Sequence, residues 1–122
     1  MPAFACKVLV KYPEHIEDID YWARAYRVVK IIEANDDQFV VLVKRHFGDQ
    51  TDVGKRVALR FIADEEPHAI CSISLDVGKT YLVRSRSSAE PLFISRYGWM
   101  NIPSTHRMFH TYVRDLELAS AR

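Results

Sequence analysis

A small, mainly β barrel is the fold class this sequence predicts: five strands in a Greek-key, OB-type arrangement, with flanking helical segments and a C-terminal helix. Three observations carry that expectation. Five short runs rich in valine, isoleucine and aromatic residues follow one another along the 122 residues. Polar turn signals separate them. One amphipathic stretch closes the chain. An antiparallel sandwich or an α+β roll is the alternative assembly of the same elements.

Taken in order, residues 6–10 read as a short extended segment. Residues 12–19 suit a short helix, with Pro13 in its first turn and acids at its positive end. A long β-like stretch covers residues 21–33. Its alternation breaks at the doublets Val28-Val29 and Ile31-Ile32, which calls for a bulge or for burial on both faces. Asn35-Asp36-Asp37 is a turn signal, and residues 39–47 form the second strand of an antiparallel hairpin. Residues 48–55 are a polar loop. Val57, Leu59 and Phe61 then alternate with Ala58 and Arg60, the pattern of a half-buried strand. An acidic loop runs to His68. Strands are predicted at residues 80–87 and 92–95, with an irregular segment over 98–103. Ser104 is an N-cap candidate for a helix over residues 105–119, whose apolar stripe is Met108, Tyr112 and Leu116.

Length predicts one domain over residues 1–122. Lys and Arg total 17 against 16 Asp and Glu, so bulk charge points neither to nucleic acid nor to an anionic membrane. No apolar run approaches the roughly 18 residues of a membrane span. The two cysteines, Cys6 and Cys71, read as buried thiols in a reducing compartment and as a pair in an oxidising one. Ala3-Phe4-Ala5 has the small-x-small shape of a signal-peptidase site directly before Cys6. It gives the expectation that the mature chain begins at Cys6 and that residues 1–5 are a remnant.

Candidate chemistry is sparse. There is no Ser-His-Asp pattern, phosphate loop or metal cluster, so no catalysis, cofactor or metal is expected. His106 and His110 share the i, i+4 spacing of a zinc pair, but Arg107 stands where a protease motif has Glu, and two helix-surface histidines are the plainer reading. Arg24, Arg27, Lys30, Lys44, Arg45, Arg56, Arg60, Arg84 and Arg86 fall on predicted strands among aromatics. A barrel face of that kind can take single-stranded nucleic acid or a sulfated glycan. The near-equal acid count favours solvated strand faces instead.

One run decides between these readings. The sequence from His68 through Cys71-Ser72-Ile73-Ser74-Leu75-Asp76-Val77-Gly78 to Tyr81-Leu82-Val83 resembles the netrin-like domain of the tissue inhibitors of metalloproteinases. In that family a cysteine after a small apolar pair leads into Ser-Leu-Asp-Val-Gly and a Tyr-Leu-Ile strand. The resemblance extends weakly over nearly the whole chain. Residues 20–26 are similar to the Asp-x-x-Ile-Arg-Ala-Lys of the family's first strand. His46-Phe47-Gly48 is similar to its Phe-Lys-Gly turn, and Phe93-Ile94-Ser95, Trp99 and Ser104 are looser counterparts of its His-Ile-Thr strand, Trp and helix start. Cys6 and Cys71 match two of the family's six half-cystines. The other four positions, near Val8, Glu17, Tyr97 and the C-terminus, lack cysteine in whole pairs.

The resemblance implies an OB-type barrel and a secreted, extracellular protein that binds another protein, as do single-domain secreted relatives in nematodes. It implies a disulfide between Cys6 and Cys71. It also implies a binding ridge of Cys6, Lys7, Val8 and Leu9 beside Pro67, His68, Ala69 and Ile70. In the family the α-amine and carbonyl of the first cysteine chelate the zinc of an endopeptidase. Here five residues precede Cys6, which makes that nitrogen an amide, and Lys7 stands where the family has a small hydroxyl residue. A lysine entering an apolar specificity pocket loses hydration. Peptide mapping without reductant should recover Cys6 linked to Cys71, a bridge that contributes roughly 4 kcal/mol in the chain-entropy model. Two free thiols would overturn both the pairing and the secretion it implies.

Overall fold

The computed structural model describes residues 13–36, 38–63, 74–95 and 101–121. Six strands form one curled sheet: β1 (Tyr26–Ala34), β2 (Gln38–His46), β3 (Arg56–Phe61), β4 (Thr80–Arg84), β5 (Leu92–Ile94) and β6 (Ile102–Pro103). Their spatial order is β5-β3-β2-β1-β4-β6. Neighbours are antiparallel except β3 and β5, which run parallel. An antiparallel bridge joins Ser85 to Ile94, and the Arg86 amide donates to the Phe93 carbonyl at 2.7 Å. These contacts return β5 to the end of β4 and curl the sheet into the expected OB-type barrel. The sixth strand, β6, is added to the five read from the sequence. Two residues carry no periodicity, but the pairing of Ile102 with Leu82 buries both side chains.

The doublets of β1 have a structural cause. The register with β2 shifts between Val28 and Val29 and again between Ile31 and Glu33. The strand is also covered on both faces. Val29 and Ile31 join Val41, Leu59, Val83 and Ile94 in the inner core. Tyr26 and Val28 join Phe47, Leu82 and Ile102 in an outer core beneath the C-terminal helix α2 (Phe109–Ser120). That helix presents Phe109, Tyr112, Val113, Leu116 and Ala119 to the sheet; Tyr112 and Leu116 are on the expected stripe, while Met108 precedes the helix as its N-cap. Each fully buried side chain of this kind contributes roughly 1.5–3 kcal/mol by transfer from water.

Three boundaries differ from expectation. Residues 21–25 are helical, not extended: α1 (Ile19–Trp22) runs into a 3-10 turn at Ala23–Ala25, and β1 starts only at Tyr26. Asp18, at φ 53°, starts that turn, and its carbonyl accepts the amides of both Tyr21 and Trp22. Residues 13–18, read as helix, precede α1 as bends and turns. At the other end, α2 begins at Phe109, so Ser104 is not its cap. The Ser104 amide is tied to the Thr80 carbonyl, and His106 Nδ1 accepts the Met108 amide instead.

Candidate functional site

The ridge read from the sequence lies outside the described residues: Cys6, Lys7, Val8, Leu9, Pro67, His68, Ala69, Ile70 and Cys71. What is described is the anchor that follows it. Leu75 is buried in the inner core. The Tyr81 hydroxyl accepts the Asp76 amide at 2.9 Å and donates to the Ser74 carbonyl at 3.3 Å. The Gly78 amide bonds the Ile31 carbonyl, and the Ile31 amide bonds the Lys79 carbonyl. Backbone bonds thus tie Gly78 and Lys79 to β1, and the Tyr81 phenol ties Ser74 and Asp76 to β4.

The largest polar constellation among the described residues sits at one end of the barrel. Arg27 is 1% exposed. Its Nε donates to Asp52 Oδ2 at 2.8 Å, and Nη2 reaches the Ser88 carbonyl at 3.3 Å. Nη1 has no protein partner among the described residues. His46, buried opposite Arg27 in the β1–β2 register, places Nδ1 2.9 Å from Asp52 Oδ1. Its Nε2 donates to the Arg24 carbonyl at 2.7 Å. The Gln50 amide donates to the His46 carbonyl. The cluster therefore joins the 3-10 turn, β1, β2, the loop after β2 and the connection after β4. Gly48, at φ 81°, lets the loop pass: a Cβ there would stand 3.1 Å from Cγ of Arg24.

Chemically the cluster binds structure together and offers no reaction. The Arg24 carbonyl occupies His46 Nε2, which is then not free to act as a base. Burial pulls the Asp52 carboxyl upward, but the hydrogen bonds and charges of Arg27 and His46 outweigh it and hold the group below the usual aspartate range. Asp49 is held low as well, first by the Thr51 amide. Sequence reading missed Asp52 and His46 and placed Arg27 on a solvated face. The available signal was a lone charge, Arg27, beside the apolar doublet Val28-Val29.

The remaining basic residues scatter. Arg45 pairs with Glu117 at 2.8 Å, and Arg84 lies over the Trp22 ring, 4.4 Å from its centroid. Lys44, Arg56, Arg60 and Arg86 are exposed, and Lys30 is half-buried. No continuous basic face results among the described residues. His106 precedes α2 and engages the Met108 amide, so the i, i+4 helix pair with His110 does not form. No group of metal-ligating side chains occurs among the described residues.

With this barrel in place, one comparison bears on function. The chain is similar to a tissue inhibitor of metalloproteinase from Drosophila melanogaster. The alignment extends over 118 residues at 25% identity and takes in 93% of this chain and 56% of the relative. The chain thus spans just over half of that protein's length. No protein-family model and no solved structure matches the chain.

The Asp52 environment sets an acid limit on the fold. Its folded pKa lies below the unfolded one, so its contribution is complete above about pH 3.9 and is lost as pH falls through the folded value. Denaturant unfolding followed from neutral to acid pH should show stability declining below roughly pH 4. Asp52→Asn should make that acid limb shallower and lower the neutral-pH stability by about 3 kcal/mol, because it leaves Arg27 buried without its counter-charge. An acid limb unchanged by the substitution would contradict the assignment.

Proposed function

We propose that the chain is a secreted, single-domain, netrin-like module that acts extracellularly by binding another protein, without catalysis. The observation that carries the reading is the similarity to a metalloproteinase inhibitor over 93% of the chain. The curled six-stranded sheet supports it, because it is the OB-type barrel that the resemblance implies. No helix among the described residues is long and apolar enough to cross a membrane. The relative is named for inhibition rather than for a reaction.

A second reading, inhibition of a zinc endopeptidase, is favoured by that relative's name. It would use the ridge of Cys6 to Leu9 beside Pro67 to Ile70, tied by the Cys6–Cys71 bridge. Its chemistry makes specific demands. A zinc ligand at Cys6 has to be a neutral α-amine, because an amide nitrogen is a poor donor. A free α-amine has a pKa of about 7.7–8.0, so part of it is neutral near physiological pH. Lys7 would carry its charge into the partner's apolar pocket.

Three chains separate the two readings: one starting at Met1, one starting at Cys6, and the shortened chain carrying Lys7→Thr. Each is assayed against a panel of zinc endopeptidases. The chain starting at Met1 should not inhibit, trimming should give a small gain, and Lys7→Thr should raise it further. Tight inhibition by the trimmed, unsubstituted chain would make inhibition the function. No inhibition by any of the three would leave a binding module that does not use the ridge against these enzymes.

A further inference from the structure

The turn before β1 and the connection after β4 meet at a shallow groove of about 260 Å³. Tyr21, Trp22, Arg24 and Ala25 form one side, and Arg86, Ser87 and Ser88 are on the other. Trp22 is half-buried. The Tyr21 ring stands edge-on to it with centroids 4.9 Å apart, and the Arg84 guanidinium lies over it. Tyr21 itself is 79% exposed, although it neighbours the outer core on α1. The fold gains almost nothing from so large a ring left in water. Arg24 and Arg86 are exposed as well.

The charge of the groove is one-sided. Among the described residues no carboxylate lines it, and Arg24, Arg84 and Arg86 make no ion pair. The groove beside Lys44 and Arg45 contains Glu117, and the one beside His15 contains Asp115. Arg45 therefore has Glu117 at 2.8 Å, and His15 has Asp115 at 3.5 Å. Tyrosine, tryptophan and arginine are also the residue types that dominate binding energy where proteins meet.

We propose that this groove is a docking site for an acidic segment of a protein partner. An aspartate or glutamate would sit between Arg24 and Arg86, and an adjoining apolar side chain would rest on the Tyr21–Trp22 pair. A short groove with an aromatic floor suits a peptide. A sulfated polysaccharide is held by a longer run of cations, and no other base among the described residues lines this groove. The proposal does not rest on the ridge and stands or falls separately from it.

The probe is a displayed library of random peptides, panned on the full chain at physiological salt. Selected peptides are then measured against the parent chain, Tyr21→Ala, Arg86→Glu and, as a control on β3, Arg56→Glu. All three side chains are exposed, and thermal melting checks that each variant folds. Selected peptides should carry Asp or Glu beside an apolar residue. They should lose at least about tenfold in affinity for Tyr21→Ala and for Arg86→Glu and keep it for Arg56→Glu. No enrichment, peptides without acids, or affinities indifferent to both groove substitutions would overturn the proposal. So would a heparin oligosaccharide that displaces the peptides and loses its own binding in Arg86→Glu, which would assign the groove to a sulfated polysaccharide.

Discussion

A guanidinium ion cannot be left unpaired in a protein interior, and Arg27 is placed in one. Desolvating such a charge costs several kcal/mol. That cost is offset only because Asp52 reaches it from the loop after β2 while the Ser88 carbonyl reaches it from the connection after β4. The partners come from segments distant in sequence. The cluster can therefore form only when β1, β2 and the connection after β4 have reached their final positions. An apolar plug at the same place would be satisfied by many arrangements, whereas this one accepts few.

The same constraint explains the neighbouring backbone. His46 is held by Asp52 and in turn holds the Arg24 carbonyl, so the 3-10 turn entering β1 is fixed from below. The turn carries Trp22 beneath Arg84, and Tyr21 is thereby set outward at the rim of the groove. Backbone bonds from Gly78 and Lys79 to Ile31 hold the turn before β4 on β1. One sheet thus supports both the turn over residues 74–79 and the aromatic and cationic groove at the entry to β1.

Much of this was legible in the sequence where physics is local. The hairpin of β1 and β2 follows from two β-rich runs around Asn35-Asp36-Asp37, and the Val28-Val29 doublet marks a true register shift. The spacing of Tyr112 and Leu116 gave the buried stripe of α2. Local rules failed where a distant partner decides. Tyr21 and Trp22 have strand propensity, yet the left-handed Asp18 and the demands of Arg84 and His46 keep that stretch helical. Ser104 has a capping side chain, but its amide is claimed by Thr80 on β4. Arg27 looked solvated because its acid stands 25 residues away in a polar loop, and no periodicity links the two. The ridge from Cys6 to Leu9 and from Pro67 to Ile70 rests on family resemblance alone.

The central claim is that Arg27 and Asp52 act as one unit in holding the barrel end. A double-mutant cycle in denaturant, built from Arg27→Met, Asp52→Asn and their combination, measures it directly. Coupling predicts that each single change destabilises strongly while the double variant loses less than the sum, by at least about 1 kcal/mol. Additive losses, within about 0.5 kcal/mol, would show that the two side chains are independent and would contradict the account.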